Sequence, residues 1–179
     1  MTRGYQNNNP GNIRLISAND KPFLGEIRPT TDPGWRQFAT IEYGFRGLMK
    51  NLQSYIDSGH NNIEKIISRW APSSDGNNTA SYINNVEART GINRKQIIDR
   101  NDLDSLQRLA YAISWSENGF APAWSQINAG AQLLSETPGS AGTPVPGSTG
   151  SNQSKRWLKI GAIVAGTGIA AYLISKLAP

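Results

Sequence analysis

The sequence predicts a mainly helical α+β domain followed by a C-terminal transmembrane helix. Three observations lead there. From position 44 onward, apolar residues recur at helical spacing. The first 40 residues carry Pro10, Pro22, Pro29 and Pro33, which forbid a long helix and leave room only for short strands. Residues 160–175 form a run without a single charged side chain.

In order along the chain, short strands are expected near 13–16, 23–28 and 35–41. Phe45, Leu48, Met49, Leu52, Tyr55 and Ile56 then follow the i, i+3, i+4, i+7 pattern of one helix face. Ile63, Ile66, Ile67 and Trp70 repeat it until Pro72 stops the helix, which assigns Trp70 to the core. Thr79 can cap a helix carrying Ile83 and Val86 and ending at Gly91. Asn93 can cap a short helix to about Arg100. Leu103, Leu106, Ala110 and Ile113 mark another stripe, stopped at Asn118-Gly119, and Ser125 can cap a last helix through Leu134.

Composition divides the chain into a domain (1–136), a linker (137–154) and an anchor (155–179). The linker contains neither a charge nor an aromatic ring and is dense in Gly, Ser, Thr and Pro. At about 1.5 Å per residue, the uncharged run 160–175 spans roughly 24 Å, short of a ~30 Å hydrocarbon core. Trp157, Leu158 and Leu177 lengthen it to a span if Lys159 and Lys176 snorkel. A buried or surface-lying amphipathic helix is the alternative for this segment.

Charge and composition exclude several function classes. The net charge is +5, but residues 1–136 hold 14 Lys and Arg against 13 Asp and Glu, a net of +1. The basicity belongs mainly to the tail, so no broad basic face for nucleic acid is expected. The chain has no cysteine and one histidine, His60, in the loop SGHNN. Thiolate zinc sites, cysteine nucleophiles and multi-histidine metal sites are therefore excluded, and neither metal nor cofactor is expected.

The candidate chemistry lies in ISWSENGFAPAWSQ at positions 113–126. Glu117 falls at the C-terminal end of an apolar helix, where the helix dipole disfavours its charge. Trp115, Phe120 and Trp124 surround it in sequence, and desolvation by those rings would act the same way. A carboxylic acid kept neutral is what a general acid for glycoside cleavage requires. A solvated glutamate at a helix end is the bland alternative. Glu42, in TIEYGF just before a helix, is either an N-terminal dipole partner or a second acid/base. Glu26 and Asp32 are weaker candidates for that role. NNNPGNIR at 7–14, with Asn9 and Asn12, is either a turn or a cleft wall offering amides to N-acetyl sugars. Tyr5, Trp35, Tyr43, Tyr82 and Trp124 are the aromatics that could stack on sugar faces.

ENGFAPAWSQINAG at 117–130 resembles the ESGF-x-P-x-A-x-S motif of lysozyme-like lytic transglycosylases, whose glutamate ends a helix and acts as acid and base. Asn118 stands where those enzymes usually carry Ser. Arg3-Gly4, NNNPGNIR, a later Gly-Trp, FATIEYGFRGLMKNL at 38–52, RWAP at 69–72, NNTASYINNV at 77–86 and the ENG at 117–119 occur in the order of a bacteriophage virion protein family. That family is described as structural or peptidoglycan-degrading, and the resemblance covers roughly residues 3–134. It implies a lysozyme-like fold. The motif order, with the glutamate helix last, implies a circularly permuted one.

The resulting expectation is a virion-associated, peptidoglycan-cleaving enzyme, a lytic transglycosylase or muramidase. Glu117 and Glu42 would be catalytic, and Asn9, Asn12, Tyr43, Tyr82 and Trp124 would bind substrate. It would be anchored in an internal virion membrane or the host inner membrane through 155–179, beside other virion proteins. A non-catalytic membrane-anchored structural or glycan-binding protein is the alternative.

Overall fold

The computed structural model describes residues 1–134. Among them, six α-helices run α1 (Arg3–Gln6), α2 (Ile41–Asp57), α3 (Ile63–Trp70), α4 (Thr79–Thr90), α5 (Leu103–Asn118) and α6 (Trp124–Gln132), with one 3₁₀ turn at Ser73–Asp75. The apolar stripes meet in one core. α2 contributes Phe45, Leu48, Met49 and Leu52, α3 contributes Ile63, Ile66 and Ile67, and α5 contributes Leu106, Leu109 and Ile113. Ile127 and Ala131 of α6 close it against α2. Gly130 permits that closeness, because a Cβ there would meet Phe45 Cβ at 2.7 Å and the Glu42 carbonyl at 2.8 Å.

The α+β class is corrected. Strand geometry among the described residues is confined to two isolated antiparallel bridges, Arg14 with Trp35 and Glu26 with Phe38. No sheet forms, so the lysozyme-like fold and its circular permutation are corrected with it. The reason is local. The chain turns immediately before each bridge, at Gly25 (φ +74°) ahead of Glu26 and Gly34 (φ +86°) ahead of Trp35, so no ladder extends in that direction.

Side chains hold the segment together instead. Asn9, almost fully buried, donates from Nδ2 to the carbonyls of Ile13 and Arg36 and accepts from Ile13 N–H, each at 2.9 Å. Glu26, buried, lies between Arg28 (2.9 Å) and Arg36 (2.6 Å), while the Arg36 guanidinium stacks on Phe23. Asp32, the other sequence-derived candidate here, is also engaged: it accepts from Asn7 Nδ2 and pairs with Arg3.

Two further elements differ from expectation. Residues 93–100 form no helix. Ile92 and Ile98 are both buried, and positions six apart point to different faces of a helix, so an extended path is needed to bury both. Asn78, rather than Thr79, caps α4 by accepting from Ser81 N–H, and the Thr79 hydroxyl donates to the Ala71 carbonyl instead. α6 begins after Ala123 without a side-chain cap. No helix among the described residues is long and apolar enough to cross a membrane. The linker 137–154 and the anchor 155–179 lie outside the described residues.

Candidate functional site

Glu117 occupies the last turn of α5, which ends at Gly119 in the left-handed conformation (φ +78°). Three side chains from three separate segments donate to its carboxylate. Trp70 Nε1, at the end of α3, donates to Oε1 at 3.1 Å. The Tyr82 hydroxyl, on α4, donates to the same oxygen at 2.9 Å. Asn12 Nδ2, in the N-terminal turn, donates to Oε2 at 3.2 Å.

The Asn12 and Tyr82 donors are themselves held. Asn12 sits at φ +47°, a conformation that asparagine tolerates better than most residues. Its turn is clamped to the end of α5 by Asn118, buried directly beside Glu117. Asn118 Nδ2 donates to the carbonyls of Pro10 and Ser114 at 2.8 Å, and its Oδ1 accepts from the Thr2 hydroxyl at 2.6 Å. The turn also rests on α2 at Gly44, where a Cβ would run into the Asn8 carbonyl. α4 is fixed to α5 by Arg89, which donates to the Ser116 hydroxyl at 2.6 Å and stacks over Trp115 at 4.5 Å.

Tyr82 is the perturbed group of the site. Burial pushes its phenol well above the usual value of 10.0, and the neighbouring Glu117 charge and hydrogen bond push it further. It stays a donor across the neutral range.

Glu117 opens onto a cleft of ≈ 440 Å³ whose wall includes Asn12, Arg14, Trp35, Tyr55, Arg69 and Trp70. Asp20 and Asp75 are the other carboxylates on this wall. Asp20 lies within ion-pair distance of Arg36 (3.5 Å) and accepts from the Ile16 and Ser17 amides. A larger, shallower depression (≈ 650 Å³) beside His60, Glu64 and Lys65 brings no such set of polar groups onto one reactive atom. Among the described residues no cluster of side chains could hold a metal ion.

No family model matches the chain. It is 38% identical over 121 residues to Protein P5 of Pseudoalteromonas phage PM2, a match covering 67% of this chain and 73% of that protein. The chain belongs to the family of that phage protein. The relative's name states no activity, so the chemistry of this family member rests on its own residues.

Of the residues singled out in the sequence, the fold brings Glu117, Asn12 and Tyr82 together. Trp35 lies on the same cleft wall, but Asn9, Glu42, Tyr43 and Trp124 do not reach it. Asn9 is consumed inside the turn. Glu42 lies in the first turn of α2, where a carboxylate complements the dipole, and is absent from the cleft wall. Tyr43 packs its ring against the backbone at Gly25. Trp124 stacks on Tyr111 at 4.8 Å and 6°, outside the cleft wall.

The expected aromatic enclosure of Glu117 is also corrected. Trp115 packs edge-on against Tyr111, and Phe120 packs on Tyr5. The rings that do reach Glu117 come from other helices and present an N–H and an O–H, so its surroundings are polar donors rather than bare apolar faces. Sequence reasoning missed Trp70. The apolar stripe of α3 absorbed it, although an indole is amphipathic and its N–H needs a partner when half-buried.

Proposed function

We propose that this phage protein cleaves the glycan strands of bacterial peptidoglycan, with Glu117 as the acid and base. In a virion it would open the wall locally during entry or exit. One observation carries the reading: a half-buried carboxylate, oriented by three side-chain donors, opens onto a cleft of ≈ 440 Å³. Positioning a catalytic group this firmly is what proton transfer to a glycosidic oxygen needs.

In the first step the Glu117 carboxyl gives its proton to the bridging oxygen as the C1–O bond breaks. In the second, the carboxylate takes a proton from the attacking hydroxyl, either the sugar's own 6-hydroxyl or a water, as that oxygen bonds to C1. The first attacker leaves an anhydro product and the second a reducing end. Both steps need only one protein carboxylate, whereas most glycosidases use a pair. Of the other carboxylates on the wall, Asp20 is engaged by Arg36 and two backbone amides, which leaves Asp75 as the second carboxylate of the cleft.

Asn12 donates from Nδ2 to Oε2, while its own Oδ1 is buried without a hydrogen-bond partner, and a half-turn of the amide would exchange donor for acceptor at Glu117.

A second reading has an observation of its own. Glu117 ties α3, α4 and the N-terminal turn to α5, which is also what a purely structural glutamate would do. Release of soluble muropeptides from purified sacculi by the wild-type chain, and its loss in a folded Glu117→Gln variant, separates the two.

A further inference from the structure

Two arginines on the cleft wall have no part in the chemistry above. Arg14 lies two residues beyond Asn12, and Arg69 lies one residue before Trp70, so each follows or precedes a donor to Glu117. Both side chains are exposed, and neither is paired with a carboxylate among the described residues. Six other arginines of the domain, Arg3, Arg28, Arg36, Arg94, Arg100 and Arg108, are in ion pairs.

Each of the two guanidiniums instead rests on an aromatic ring of the same wall. Arg14 lies 5.3 Å over Trp35, a ring that Arg3 also approaches at 5.1 Å, and Arg69 lies 5.1 Å over Tyr55. The cation–π contact restricts each side chain. A guanidinium without an ion-pair partner suits a planar anion, because a carboxylate accepts two of its N–H groups side by side.

We infer that Arg14 and Arg69 are specificity-determining residues that bind carboxylates of the substrate, so that the cleft selects a glycan carrying acidic substituents over a neutral one. In peptidoglycan those carboxylates belong to the peptides borne on the lactyl ethers. This rests on the reading of the cleft as a glycan site, and it adds which glycan the cleft prefers.

The test uses the full chain and two preparations of the same sacculi. One is native, and in the other carbodiimide coupling to methylamine converts the carboxylates to neutral amides without touching the glycan bonds. Binding is read by co-sedimentation across protein concentrations, and cleavage by soluble muropeptides. Amidation is expected to weaken wild-type binding about tenfold, from about threefold for each exposed charge pair. The Arg14→Gln/Arg69→Gln double variant should bind native walls about tenfold more weakly than wild type and be indifferent to amidation. The corresponding double Lys variant should recover only part of the preference, because it keeps the charge without the fork. The thermal midpoints of the variants confirm folding.

Equal wild-type binding to native and amidated walls would overturn the inference, as would a double variant that still discriminates. If the wild-type chain prefers native walls but releases no muropeptides, carboxylate recognition stands and the cleavage reading fails. If it releases them equally from both walls, cleavage stands and the inference fails. If it binds neither wall, both fall.

Discussion

Removing the Tyr82 hydroxyl tests the site without touching the carboxylate. Tyr82→Phe keeps the ring and its packing and deletes one donor, at 2.9 Å from Glu117 Oε1. A hydrogen bond to a charged acceptor contributes about 1.5–3 kcal/mol, and Trp70 still donates to the same oxygen, so the expected loss is about 2 kcal/mol. For a domain of this size that lowers the thermal midpoint by about 6–10 °C. With the carboxylate less constrained, kcat on sacculi should fall about tenfold while KM stays within about twofold, since only orientation is lost. The same variant carries a pH signature. Tyr82 is raised well above 10.0 in the folded state, so its stabilising effect is complete below pH 10 and is lost as pH rises from there. Wild-type stability should therefore decline on the alkaline side, and Tyr82→Phe should flatten that decline. Calorimetry across pH together with turnover on sacculi reads all three. An unchanged midpoint, an unchanged alkaline limb and unchanged kcat would show that the phenol does not hold Glu117.

Three other perturbations follow from the geometry. Gly44→Ala drives a methyl group into the Asn8 carbonyl and to 2.6 Å from Pro10 Cδ, so denaturant unfolding should show a loss of about 3 kcal/mol. Asn118→Ala removes two donors at 2.8 Å and the acceptor of the Thr2 hydroxyl, for about 3 kcal/mol. It also unclamps the Asn12 turn, so kcat should fall in the protein that remains folded. Glu42→Gln lies off the cleft wall and should leave muropeptide release within about twofold of wild type.

The helices were legible because their signals are local. The stripe of Phe45, Leu48, Met49 and Leu52 and that of Ile63, Ile66 and Ile67 are both fully buried as their spacing implied. The glycine stops at Gly91 and Gly119 adopt the left-handed caps that end α4 and α5. The N-terminal segment was misread because its order comes from non-local side-chain bonds. Asn9 reaches the Arg36 carbonyl and Asn118 reaches the Pro10 carbonyl, and no periodicity records such links. The helix expected from Asn93 failed for the same kind of reason: burial of Ile92 and Ile98 overrode a plausible cap. At the site, Glu117 was identifiable from its motif, but its environment was not. Its neighbours in sequence are not its neighbours in space: Trp70 and Tyr82 arrive from 47 and 35 residues away. Asn118, which departs from the serine of the resembled motif, has a structural reason here: a serine could not bond two carbonyls and a hydroxyl at once.

Digestion of purified sacculi by the full chain, beside Glu117→Gln, tests the central claim most directly, with products identified by mass spectrometry. Wild type should release soluble muropeptides, carrying 1,6-anhydro ends if the 6-hydroxyl attacks or reducing ends if water does. Glu117→Gln, folded by its thermal transition, should release at least about a hundredfold less. No release by folded wild-type protein from several wall types, or equal release by Glu117→Gln, would contradict glycan cleavage by this carboxylate and leave Glu117 as a structural tie between α5 and its neighbours.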